Sequence, residues 1–166
     1  PNTGGGAYPV FCYDEETQFL FDQLNDEKRD LYFEEYPDRE EDYSGDEKTQ
    51  YDRYAGFLMD EKLNQAAAYR LEAALVNGYS GDAIPGEGTL KDYLGKISYR
   101  KNSSCRELYL RGREDADDAF DRLIGKTQDK YDSSGKRKDS LDYYRRIGMA
   151  HAEKDGEHYF MVILMR

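Results

Sequence analysis

The C-terminal stretch constrains the fold more than any other part of this 166-residue chain. Two apolar runs, residues 147–152 and 157–165, flank Asp155-Gly156, a pair that suits the positive φ angles of a two-residue hairpin turn. With those two residues at the centre of the turn, Lys154 faces Glu157 and side chains alternate between two faces. One face receives Ile147, Met149 and His151 against Leu164, Val162 and Phe160. The other receives Gly148, Ala150 and Ala152 opposite Ile163, Met161 and Tyr159. Both faces are apolar enough to need cover, and small residues across from large ones fit a helix packed closely on a sheet. The expectation is an α/β fold, a three-layer α/β/α sandwich.

Helical spacing supplies the covering layers. Leu20, Phe21, Leu24 and Leu31 share a stripe between residues 14 and 32, with Asp14, Glu15 and Glu16 at the positive end of the helix dipole. Residues 60–77 align Leu63, Ala67, Leu71, Ala74 and Leu75 and stop at Gly78. Residues 113–124 gather Ala116, Ala119, Phe120, Leu123 and Ile124. The Gly- and Pro-punctuated residues 78–88 read as a loop, Leu90, Tyr93, Leu94 and Ile97 predict a short helix, and residues 105–110 predict a strand. Residues 125–140 read as a polar connection. Residues 34–54 are acidic, Tyr-rich and broken by Pro37 and Gly45, which predicts an insertion loop with room for a helical turn. Within it Glu40, Asp42, Ser44, Gly45 and Asp46 resemble half a calcium loop, but the acid needed at position twelve falls on Tyr51, so the run reads as solvated surface. Residues 1–13 read as a flexible lead-in and 14–166 as one domain. The chain opens on Pro1, and any targeting segment is expected to have been removed or to lie outside the sequence.

Composition excludes several function classes. With 35 acidic against 24 basic residues, the net charge of -11 repels a phosphate backbone, so no nucleic-acid partner is expected. A mean hydropathy of -1.00 leaves no stretch for a membrane-spanning segment. Cys12 and Cys105 form no Cys-x-x-Cys motif. They either close one loop of about 90 residues as a disulfide or remain two ordinary thiols.

The element order, together with several local matches, resembles the bacterial branch of the CAP superfamily, the SCP-like extracellular proteins. Residues 24–28, Leu-Asn-Asp-Glu-Lys, look like the family's first-helix Val-Asn-x-Glu-Arg. Residues 58–67 look like the opening of its second helix, and Gly78-Tyr79-Ser80 sits where the family has Gly-Tyr-Phe-Ser-His. Residues 133–141 are similar to Ser-Pro-Gly-His-Arg-Ala-Asn-Ile-Leu, and residues 144–150 to Tyr-x-x-Ile-Gly-Val-Gly. The resemblance covers about residues 14–165, with a long first loop as the main departure. It implies an α/β/α sandwich of the CAP type and a secreted or cell-envelope location.

The family's cleft holds two histidines and two acids, a set suited to a divalent metal and proposed to act in hydrolysis. Here Gly81 or Asp82 stands at the first histidine position and Lys136 at the second, so both imidazoles are gone. Glu107 matches the glutamate of the family's Gly-Glu-Asn, while the second acid finds no firm counterpart near Asp129 or Asp132. The resemblance therefore implies a degenerate cleft around Glu107, Lys136, Ser80 and Asp82. Either Lys136 pairs with Glu107 in place of a metal or it points into solvent. No cofactor is expected.

His151, His158 and Glu153 form a separate group, because the hairpin register sets the histidines diagonally on one face with Glu153 opposite His158. They read either as three convergent metal ligands or as an exposed cross-strand pair near a turn, the commoner arrangement. No Gly-x-Ser-x-Gly elbow or phosphate loop is present. The expected function is a non-catalytic binding or interaction module, its partner a small molecule, a surface polymer or a protein. The alternative is a hydrolase, peptidase-like or otherwise, built on Glu107 with Asp82, His151 or His158.

Overall fold

The computed structural model describes residues 8–41, 54–127, 130–131, 133–134, 137–138 and 140–166. In chain order the elements are α1 (Glu15–Glu35), α2 (Pro37–Glu41), β1 (Leu58–Met59), α3 (Glu61–Asn77), β2 (Ala83–Ile84) and β3 (Gly88–Thr89). There follow α4 (Leu90–Lys96), β4 (Cys105–Arg113), α5 (Ala116–Lys126), β5 (Lys130–Tyr131), β6 (Arg137–Lys138), β7 (Arg146–Lys154) and β8 (Glu157–Met165). The chain is an α/β protein.

Its main sheet has the order β1-β7-β8-β4. The pair β1–β7 is parallel and the other two are antiparallel. The β7–β8 register is the one the turn predicts: Lys154 pairs with Glu157, Ile147 with Leu164 and Glu153 with His158. Asp155 and Gly156 both have positive φ, 53° and 80°, the conformation in which a two-residue turn follows the twist of its strands.

The helices begin where short polar side chains stop the backbone N–H groups from going unpaired. Asp14 Oδ1 accepts from Thr17 N at 3.0 Å to open α1. Asp60 Oδ1 accepts from Lys62 N and Leu63 N at 2.9 and 3.1 Å to open α3. That helix ends at Gly78 with φ 89°.

Both faces of the sheet are covered. On one, Leu63, Ala67 and Leu71 of α3 bury against Ala150, Met161 and Ile163. On the other, Leu20 and Leu24 of α1 with Ala119 and Leu123 of α5 bury against Ile147, Met149, Phe160 and Val162. The small residues of β7 admit α3 closely: a Cβ added at Gly148 would stand 2.3 Å from the carbonyl carbon of Leu63.

The structure bears on several further expectations. The lead-in is not flexible through residue 13, since Val10 and Cys12 are buried and Phe11 exchanges backbone hydrogen bonds with His151 at 2.9 and 2.8 Å. The insertion does carry the helical turn it had room for, α2, and α1 runs on into it as far as Glu35. The half calcium loop at 40–51 falls largely outside the described residues. Cys12 and Cys105 are free thiols, so the disulfide alternative gives way to the ordinary one. Strand β1 was not foreseen; two residues are too few to carry a period, and only pairing with β7 defines it.

Candidate functional site

Glu107 lies on β4, paired with Ile163 on the α3 face of the sheet. Its partner is Arg70 of α3. The guanidinium binds the carboxylate with Nε on Oε2 and with Nη2 on Oε1 at 3.0 Å, and Nη2 also reaches the Gly88 carbonyl at 3.2 Å. Tyr79 Oη donates to Glu107 Oε1 at 2.7 Å. Burial, reinforced by the negative charge of Glu107, pushes the Tyr79 phenol well above its ordinary range, so it stays a donor. The Arg70 side chain is fully buried and that of Glu107 nearly so.

This arrangement restricts what Glu107 can do. A general base must aim a free lone pair at the proton it takes, and here three hydrogen bonds occupy a buried carboxylate. One donor is left over, since Arg70 Nη1 is buried without a hydrogen-bond partner among the described residues. Ser80 and Asp82 are exposed at the loop leading into β2, and the charge of Asp82 is felt at Tyr79. Lys136 lies outside the described residues.

Sequence reasoning passed over Arg70, although a signal was present. Positions 63, 67, 70, 71 and 74 share one helical stripe, and a cation inside a stripe of Leu and Ala needs buried acceptors, an acid or backbone carbonyls. Lys28 is the same case on α1, four residues after Leu24. Its ammonium is buried and donates to the carbonyls of Tyr54, Ala55 and Gly56 at 2.6, 3.3 and 3.0 Å.

The hairpin group is brought together on the opposite face. His151 follows Ile147 and Met149 on the α1 side, and its ring lies 4.8 Å from that of Phe160. Its Nδ1 is 2.6 Å from Asp14 Oδ2, and its Nε2 is 2.7 Å from His158 Nδ1. Glu153 Oε1 stands 3.8 Å from His158 Nδ1. Burial works to raise the Asp14 carboxyl, but the bonds from His151 and Thr17 outweigh it and hold the group below its usual range. His151 is buried, and of the cross-strand pair only Glu153 is exposed, the His158 ring being half-buried. Asp14, already the cap of α1, was not foreseen as a partner of His151, because only tertiary packing brings the helix start to the hairpin.

The two groups cannot work on one substrate. Ile163, which marks Glu107, and His158 are five residues apart on β8, so they face opposite sides of the sheet about 16 Å apart along the strand. Neither thiol offers a nucleophile: burial pushes Cys12 up to about 11 and also raises Cys105. Among the described residues no helix is long and apolar enough to cross a membrane. Comparison with known protein families, with curated proteins and with solved structures finds no match to this chain.

Proposed function

We propose that this chain is a CAP-like domain of the three-layer α/β/α kind, secreted or attached to a bacterial cell envelope, that serves as a binding or interaction module and not as a hydrolase. The observation that carries the reading is the state of Glu107: its nearly buried carboxylate is held by the Arg70 guanidinium on both oxygens and by the Tyr79 hydroxyl. A carboxylate so engaged is a structural anion, and replacing the bound metal of a cleft by an ion pair leaves shape without chemistry. Helices on both faces of the sheet and the order of elements support the CAP-like assignment. The exposed rim at Ser80 and Asp82 is where a small molecule, a surface polymer or a partner protein would be met.

The test pairs two panels on one preparation. Peptide, ester and glycoside substrates, with and without zinc, are expected to show no turnover. Lipids, surface polymers and peptides are expected to include a ligand whose affinity falls in Asp82→Asn. Turnover that disappears in Glu107→Gln would overturn the reading in favour of the Glu107 hydrolase.

A further inference from the structure

We propose that His151, Glu153 and His158 form a divalent-metal site of the zinc class at the turn end of the β7–β8 hairpin, with Asp14 as the residue that positions His151. The three side chains offer one ligand atom each, and those atoms lie within 4.8 Å of one another. Two imidazoles and a carboxylate are the donor set of open zinc sites, in which a fourth position is left to water.

The geometry is near that of a bound ion. Zinc–nitrogen bonds of about 2.0–2.1 Å at tetrahedral angles put two ligand nitrogens about 3.3 Å apart. His151 Nε2 and His158 Nδ1 are 2.7 Å apart, with the ring centres 5.0 Å apart and the planes within 19° of parallel, so the ion is admitted when the nitrogens part by about 0.6 Å and the His158 ring tilts to aim Nδ1 at it. The Glu153 carboxylate, at 3.8 Å from His158 Nδ1, is too far for a hydrogen bond and has its lone pairs to offer.

The surroundings set the protonation that a ligand needs. Asp14 Oδ2 lies 2.6 Å from His151 Nδ1; in the tautomer that donates Nδ1–H to this carboxylate, the Nε2 lone pair is directed at His158. Asp14 is itself held, because its Oδ1 accepts from Thr17 N and Thr17 Oγ1 at 3.0 and 2.9 Å. The ion takes the place of the proton between the two rings, and His158 carries its single proton on Nε2 once Nδ1 is coordinated. No proton or electron is left unbalanced.

The frame is rigid and the charges permit it. His151 is fixed by β8 on one side and by Phe11 on the other. The nearest cation in register, Arg113, pairs with His158 by backbone only; its side chain turns to Asp118 and the Arg111 carbonyl. The exposed Glu153 leaves an approach from solvent. The site lies across the sheet from Glu107, so it stands or falls independently of the reading given to that cleft.

The experiment is calorimetric titration of the untagged, metal-stripped chain with zinc chloride, followed by the visible spectrum of the cobalt-loaded protein. One zinc per chain is expected, with a Kd in the micromolar range or tighter and cobalt bands of a four-coordinate site. His158→Gln is expected to weaken binding at least tenfold, and Asp14→Asn, which keeps the helix cap, about tenfold. Glu153→Gln, a change at an exposed position that does not threaten the fold, is expected to weaken it as well. Absence of binding below about 100 μM, or binding that survives both His158→Gln and Glu153→Gln, would overturn the proposal.

Discussion

Two charged side chains stand where helical periodicity asks for apolar ones, and each is buried for a different reason. Arg70 neutralises a carboxylate on the facing strand, whereas Lys28 gathers three backbone carbonyls of the segment that leads to β1. For Arg70 the consequence can be measured in denaturant. Arg70→Met leaves Glu107 buried without its counter-charge and is expected to cost about 3–5 kcal/mol. Arg70→Met combined with Glu107→Leu is expected to recover most of that loss, because the pair is then replaced by apolar volume. If the double variant is as unstable as the single one, the charge pair is not what sustains that part of the core. Of this pair only Glu107 could be noticed in the sequence, through a resemblance; its partner depends on which strand α3 lies against.

At the scale of elements, the hairpin and its covering helix set the architecture. The alternation along 146–154 was legible down to individual pairs, because a two-residue turn fixes register and period two then assigns every side chain to a face. The helices were legible within a few residues at each end, since caps such as Asp60 and Gly78 mark them. What β7 demands of α3 is close approach. Gly148→Ala would drive a methyl against the Leu63 backbone, which cannot move without shifting the whole helix, and is expected to destabilise the fold by about 2–3 kcal/mol. Ala150→Gly, which only removes a methyl group from the same interface, is expected to cost less. Equal losses, measured by thermal or chemical unfolding, would mean that α3 stands off the sheet. Strands of two residues, β1 among them, were not legible, because they exist by pairing and not by their own pattern.

For the whole molecule the buried Lys28 sets the response of stability to alkali. Burial lowers its ammonium from 10.5 to about 8, with Arg145 and Arg29 working in the same direction and Asp142 against. The folded state therefore binds fewer protons than the unfolded chain between those values, so stability rises with pH across that window. Cys12 acts in the opposite sense from pH 9 upward, its thiol being raised to about 11 and holding a proton that the unfolded chain gives up. Between about pH 8 and 9 the wild type is expected to gain about 1 kcal/mol relative to Lys28→Met, read from parallel denaturant titrations. Parallel curves for the two proteins would show that the ammonium keeps its ordinary value inside the fold. The sequence by itself determined the class of fold, the hairpin register and the three long helices, because these follow from local period and turn residues. The tertiary structure alone decided that Glu107 meets Arg70 and Tyr79, that Asp14 reaches His151, and that the carboxylate and the two histidines lie on opposite faces of one sheet. Those contacts join residues 28 to 137 positions apart, and no local pattern encodes a partner at that distance; it is set by which faces the two apolar layers bury.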